Sequence, residues 1–264
     1  VSYTPVIPLG GYTGWQFLQR TQSDQSAALA NTPSLQRDMQ YFRDNIGTVA
    51  TGEGLVKDYR LLRVALTAFG LQDDLPNKAF IQRILDDGVV ADDALSNRLA
   101  DKRYREFSKA FGFGTDLPPL SRLPGFADRI LDRFTEQSFE QAVGEVDGDM
   151  RIALNAAREL PEMAASGGSE STLWFRVMGN TPLRTVMETA FGLPSSIAGL
   201  DLDRQLEFFQ DRAESVLGSN SITQFSDPEA MDDLIRVFLA RSQVAQFSAG
   251  TSSASIALTL LQGG

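Results

Sequence analysis

An all-α fold is predicted by three observations on this chain of 264 residues. Apolar residues recur at spacings of 3 and 4 through most of its length, and residues that start and stop helices stand at the edges of those stretches. No stretch sustains the alternation of apolar and polar residues that marks a half-buried strand. The predicted architecture is a multi-helix globular bundle over residues 15–245, with a flexible N-terminal arm at 1–14 and a flexible or partner-dependent tail at 246–264.

Taken in order, residues 1–14 carry two prolines and three glycines around Tyr3 and Tyr12, which predicts an extended arm. A helix with Trp15, Phe17 and Leu18 follows. Thr32-Pro33, Thr181-Pro182 and Asp227-Pro228 each place a capping oxygen before a proline whose missing N–H costs nothing in a first helical turn. In "KDYRLLRVALTAFG", Leu61, Leu62, Ala65, Leu66 and Phe69 share one helical face. "NKAFIQRILDD" does the same with Phe80, Ile81, Ile84 and Leu85, and "DDALSNRLADKRYREFSKAFG", less tidily, with Leu95, Leu99, Phe107 and Phe111. "PGFADRILDRFTEQSFEQAV" aligns Phe126, Ile130, Leu131, Phe134 and Phe139. "AASGGSES", around Gly167 and Gly168, is the candidate internal linker. "PEAMDDLIRVFLARSQV" presents Met231, Leu234, Ile235, Phe238 and Leu239. The closing "SAGTSSASIALTLLQGG" is uncharged, with Ile256, Leu258, Leu260 and Leu261 near its end.

Gly70, Gly88, Gly112, Gly192 and Gly218 follow helical patterns where a left-handed residue would end the helix. The phrase Ala-Phe-Gly-Leu occurs twice, at 68–71 and 190–193, and "KAFGFG" at 109–114 is a cousin. Each supplies an apolar last turn, a glycine and a returning apolar residue, the parts of a Schellman ending. "LLRVALTAFGL" and "PLRTVMETAFGL" align around that ending, which suggests two weakly similar units, roughly 50–112 and 172–245. Shared cap grammar without duplication explains the same letters.

The composition bounds the chemistry. Apolar residues make up 42% and charged residues 22%, ordinary for a globular domain. A formal charge of −10 argues against nucleic acid or an anionic membrane face as the main partner. No apolar run reaches the roughly 18 residues of a membrane span. The first residues lack the basic and apolar regions of a secretory signal. With no cysteine and no histidine, the chain has no thiolate, no imidazole base and no imidazole metal ligand. Carboxylate, lysine and tyrosine chemistry remain.

No nucleotide, cofactor or metal motif is complete. "GEGLVK" and "GFGTDL" contain G-x-G without the rest of a phosphate loop, and read as turns. "LDLDRQLEFFQD" offers Asp201 and Asp203, but Leu206 and Arg212 stand where an EF-hand needs glycine and glutamate. Asp-Asp pairs at 73–74, 86–87, 92–93 and 232–233 could serve as acid–base carboxylates if a cleft held them. Three of the pairs fall near helix starts, where capping accounts for them; Asp86-Asp87 sits at the wrong end for that. Arg98, Lys102, Arg105 and Lys109 follow 4-3-4 spacing, with Arg103 beside them, and predict one basic helix face. That face is either simply solvated or a site for an acidic partner surface. Tyr104, Phe107 and Phe111 on the same helix read as core.

The phrases "MQYFRDNIGTVATGEGLVKDYRLLRVALTAFGL", "NKAFIQRILDDG" and "LSNRLADKRYREFSKAFGFG" resemble the bacterial domain-of-unknown-function family 1217. The likeness is dense over 33–114 and thinner to about 245. Members are often found in flagellar gene clusters, so the resemblance implies flagellar structure or assembly. It brings no catalytic residue to carry over. Three functions are therefore expected candidates. One is a non-enzymatic interaction protein of the flagellar system, and another is an export chaperone for a flagellar protein. The third is a ligand binder or carboxylate-dependent enzyme with a cleft between the helical units. The expected location is the cytoplasm, or the flagellum after export without a signal peptide.

Overall fold

The computed structural model describes residues 3–99, 101–115 and 118–250; the predicted tail from 251 onward lies outside the described residues. Among the described residues there are thirteen α-helices and no strand. The fold is all-α, as the sequence predicts. It divides into two compact units, Val1–Val6 with Arg20–Val146, and Ile7–Gln19 with Asp147–Gly264. Within 15–245 the boundaries fall after Gln19 and after Val146, and the segments 50–112 and 172–245 fall one in each unit. The Gly167–Gly168 linker candidate lies inside the second unit, as a positive-φ turn between two of its helices. The boundary after Gln19 lies inside a helix, and at the one after Val146 a single aspartate separates two helices, so composition gave no signal.

Helix α1 (Gly11–Ala30) starts four residues before Trp15, inside the expected arm. The glycine that suggested irregular chain at 14 has a packing reason: a Cβ there would overlap the Leu9 carbonyl oxygen. Buried Gln25 holds the preceding chain, accepting from the Val6 N–H at 2.7 Å and donating to the Val6 carbonyl at 3.0 Å.

The first unit continues with α2 (Pro33–Asn45), α3 (Gly52–Lys57), α4 (Tyr59–Ala68), α5 (Lys78–Asp87), α6 (Leu95–Arg98), α7 (Arg103–Phe111) and α8 (Phe126–Val146). Helix α4 packs between α2 and α8, and α3 lies on α5. All five predicted face residues of α4 are buried, with Phe42, Ile81, Ile84, Leu85, Phe107 and Phe111. Phe111 is the hub of an aromatic chain, 5.1 Å from Phe107, 5.5 Å from Phe113 and 5.3 Å edge-on from Phe126. Fully burying each such side chain contributes about 1.5–3 kcal/mol, with about 0.5–1.5 kcal/mol more per well-oriented aromatic pair.

The second unit contains α9 (Gly148–Ala165), α10 (Glu170–Gly179), α11 (Thr181–Phe191), α12 (Leu202–Leu217) and α13 (Pro228–Gly250). Helix α11 is central, touching the other four. Leu183, Val186, Met187, Ala190 and Phe191 are buried along it, against Trp174, Phe209, Leu234, Ile235 and Phe238. Helix α13 runs through Gly250, so residues 246–250 are helical and the boundary expected at 246 moves.

Helix ends follow the sequence with corrections. Asp227 caps α13 through the Glu229 N–H at 3.1 Å, as predicted. Thr32 precedes α2, but its hydroxyl donates back to the Leu29 carbonyl instead of capping forward. The cap of α11 is Asn180, which accepts from the Leu183 N–H at 3.2 Å; Thr181 is already helical. The phrase "GEGLVK" is α3 itself, not a turn, with the Thr51 hydroxyl accepting from Gly54 N–H at 3.1 Å.

The repeated Phe-Gly-Leu phrase ends helices in one manner. At α4, Gly70 N–H donates to the Thr67 carbonyl at 2.9 Å and Leu71 N–H to the Leu66 carbonyl at 2.8 Å. At α11, Gly192 donates to Thr189 at 3.1 Å and Leu193 to Glu188 at 2.8 Å. Both sets are the paired bonds of the Schellman motif, with glycine φ of +66° and +64°. Gly112 and Gly218 make the simpler single bond, to Ser108 at 3.0 Å and Glu214 at 2.9 Å. Gly88 is the exception, with φ +66° but ψ −149°, outside the left-handed helical region. There the chain needs space: the carbonyl oxygens of Phe113 and Gly114 lie 3.2 and 3.5 Å from where a Gly88 Cβ would be, and a Cβ on Gly114 would overlap the Asp86 carbonyl oxygen.

Candidate functional site

The predicted basic face does not form. Helix α6 ends at Arg98 and Leu99 is extended, at φ −68° and ψ 142°, so Arg98 belongs to a different helix from Lys109. The break has a local cause. Ser96 and Asn97 bind the 88–91 turn, through Ser96 Oγ to the Gly88 carbonyl at 2.7 Å and Asn97 Nδ2 to the Val89 and Ala91 carbonyls. Asp101 then starts α7 by accepting from the Arg103 N–H at 2.9 Å. An aspartate inside a stretch of untidy periodicity was the signal that could have shown this boundary.

Three of the five basic side chains turn back onto the chain. Lys102 Nζ donates to the Asn97 and Leu99 carbonyls at 3.2 and 2.8 Å, closing α6. Arg103 pairs with Asp101 at 2.7 Å and donates from Nη1 to the Gly70 carbonyl at 2.5 Å. Arg105 Nε donates to Asn97 Oδ1 at 3.0 Å. Arg98 and Lys109 are exposed. Phe107 and Phe111 are core, as expected, while Tyr104 is half-buried, edge-on to Phe80 at 5.3 Å.

The aspartate pairs are dispersed over separate elements. Asp86, unexplained by its own helix, accepts from the Gly52 N–H of α3 at 3.1 Å, and Asp87 from the Leu95 N–H of α6 at 3.3 Å. They cap the starts of neighbouring helices across space, which sequence spacing does not reveal. Asp92 and Asp93 do not cap α6, whose start at Ala94 carries no side-chain cap. Asp73 and Asp74 lie in a single 3₁₀ turn, and Asp233 pairs with Arg236.

Three tyrosine–aspartate bonds were not foreseen. Tyr12 donates to Asp232 at 2.5 Å, Tyr41 to Asp58 at 2.6 Å and Tyr104 to Asp74 at 2.5 Å. Burial and then the Asp74 bond push the Tyr104 phenol well above its ordinary pKa. The bond to Asp232 raises Tyr12, and the bond to Asp58 raises Tyr41. Phenols held in this way are proton-keeping donors, the opposite of what a general base needs. Burial works to raise the Asp58 pKa, but the Tyr41 hydroxyl and the Leu61 and Arg60 N–H groups outweigh it and hold the carboxyl below its usual value. Among the described residues no group of three or more His, Cys, Asp or Glu side chains is arranged to hold a metal ion, and no helix is long and apolar enough to cross a membrane.

The surface carries apolar side chains instead. In the second unit Leu202 is 61% exposed and Phe208 48%, on α12, with Leu200 just before it and Phe175 on the adjoining α10. On α13, Val244 and Phe247 are exposed by 65% and 74%.

Residues 68–231 match the family described as "Protein of unknown function (DUF1217)". The matched span begins at Ala68, so the earlier part of the resembling phrase, from 33, lies outside it. The crystal structure of protein AGR_C_984 from Agrobacterium tumefaciens is similar, with a TM-score of 0.73 and 24% identity over 91% of this chain and 98% of that one. At that identity the likeness is one of fold. No curated protein matches the chain.

Proposed function

The chain belongs to the DUF1217 family, and on that premise we propose that it is a non-enzymatic protein–protein interaction protein of the bacterial flagellar system, with a structural, assembly or accessory role. The observation that carries the reading is the exposure of large apolar side chains on the second unit, with Leu202 and Phe208 standing in solvent on different sides of α12. Asp58, Asp74 and Asp86, with Tyr41 and Tyr104, are engaged in caps and in tyrosine–aspartate bonds, which favours a surface over a reactive centre built on them. The flagellar setting rests on the gene neighbourhood implied by the resemblance. On this reading the protein works in the cytoplasm or at the flagellum. Arg98 and Lys109 remain the members of the predicted basic set best placed to meet an acidic partner.

A clean deletion and an affinity capture from motile cells test the proposal. Loss of swimming or of filament number, with capture of a flagellar component that L202E/F208E abolishes, is the expected result. Unchanged motility with no flagellar component captured overturns it.

A further inference from the structure

Two guanidinium groups meet in the second unit with no carboxylate between them. Arg241, on α13, reaches the end of α11, where its Nη1 lies 2.1 Å from the point that a Cβ on Gly192 would occupy. Nη2 of Arg212, on α12, lies 3.9 Å from the same point. The two nitrogens are no further apart than the sum of those distances. One carboxylate closes such a gap, accepting from both at about 2.7–2.9 Å.

The protein itself neutralises neither cation. Of the arginines on α11, α12 and α13, Arg184 pairs with Glu188 at 2.7 Å, Arg204 with Asp201 at 3.6 Å, and Arg236 with Asp233. Among the described residues no carboxylate pairs with Arg212 or Arg241. Asp211 and Glu214, the nearest acids along α12, stand about 100° and 200° round that helix from Arg212. Arg212 uses Nε and Nη2 on the Phe191 carbonyl and keeps Nη1. Arg241 is exposed, with its whole fork of donors open. A carbonyl already answered twice by Arg212 gives no reason for a second guanidinium at the same helix end. Like charges held this close repel, and an anion from outside removes that cost.

The surroundings decide which anion. Phe208 stands one turn before Arg212 on α12 and is 48% exposed, and Val244 stands one turn beyond Arg241 on α13 and is 65% exposed. Each cation thus has an apolar side chain beside it on its own helix. An inorganic anion makes no use of those neighbours, whereas a peptide with carboxylates next to apolar side chains meets cation and apolar group together. Gly192 is exposed and has no side chain to cover the space between the arginines.

We propose that Arg212 and Arg241 form a binding site for an acidic segment of a protein partner, in which one carboxylate bridges the two guanidiniums and its apolar neighbours lie on Phe208 and Val244. The inference requires an acidic ligand and not a flagellar one, so it and the functional reading above fail separately.

A random peptide library displayed on phage and panned on the full chain tests it. Recovered peptides should be rich in aspartate and glutamate beside apolar residues. The tightest of them, made as a fluorescent peptide and followed by anisotropy, should bind R241Q at least roughly tenfold more weakly, the loss of one charge-assisted pair. R241K, which keeps the charge and loses the fork, should fall between. R204Q, on α12 but paired elsewhere, should bind as the unaltered chain does. Because Arg212 also closes α11, R241Q is the decisive variant: the side chain it replaces is exposed, and its thermal melt should match that of the unaltered chain. No recovered peptide, peptides without acidic enrichment, or equal binding to R241Q overturns the proposal. Displacement of the peptide by an equal concentration of inorganic phosphate overturns it in favour of a simple anion site.

Discussion

The guanidinium of Arg212 donates twice to the carbonyl oxygen of Phe191, from Nε at 3.1 Å and from Nη2 at 2.7 Å. In the other unit Arg103 donates to the Gly70 carbonyl at 2.5 Å. Each arginine puts a cation on the negative end of a helix that a Phe-Gly-Leu phrase has just closed. The clamps come from unlike places, α12 in one unit and α7 in the other. The resemblance between the units is therefore strongest at the stop itself.

Replacing Arg212 by alanine strips the Phe191 carbonyl of both donors. We expect a loss of about 1–3 kcal/mol, with partial recovery in Arg212→Lys, which can restore one charged donor. Urea denaturation at constant m-value checks it.

Gly192→Ala and Gly70→Ala force an L side chain into positive φ. Each should cost about 1 kcal/mol or more. The obstacle at Gly192 is the flexible tip of Arg241, so the two substitutions should be similar in effect. A much milder result for either would contradict the Schellman assignment.

Phe111→Ala removes the aromatic hub of the first unit and should destabilise it by about 3–5 kcal/mol. Arg98→Glu and Lys109→Glu, both exposed, should change stability by less than about 0.5 kcal/mol. Thermal melts of the three variants give the comparison.

The tyrosine–aspartate bonds make stability depend on alkaline pH. Tyr104 has its pKa raised on folding. Its contribution is whole below the ordinary phenol value of about 10 and is lost as pH climbs through the folded value. Tyr104→Phe should flatten the alkaline slope of unfolding free energy, and Tyr12 and Tyr41, shifted the same way, should leave part of it. Asp58 acts at the other end. Its depressed carboxyl pKa supplies stability that disappears as pH falls through the folded value, so Asp58→Ala should shrink the acid-side decline.

Much of the fold was legible because helix faces, prolines and glycine stops are local signals. Leu61, Leu66 and Phe69 announce a buried face by spacing alone, and Gly70 with Leu71 announces where it stops. The basic set failed because 4-3-4 spacing presumes one continuous helix, and Asp101 interrupts it. Asp86 and Asp87 were opaque for another reason: their partners, Gly52 and Leu95, lie on other helices. Spacing along one helix cannot report a bond between two. The exposure of Val244 and Phe247 on α13 could not be told from the sequence, where they stand among the apolar residues that build the core.

The backbone crossing between Gly88 and Gly114 has a consequence for how this chain can vary. Two main-chain segments touch there with no side chain between them. A methyl group on Gly114 would overlap the Asp86 carbonyl oxygen and needs α5 and the loop after α7 to part. One on Gly88 meets the Phe113 carbonyl oxygen at 3.2 Å and needs a smaller shift, besides the strain of its positive φ. The pair behaves as a mortise joint: a relative of this chain that has lost one of these glycines should show the two segments drawn apart at that point, whatever has become of the other.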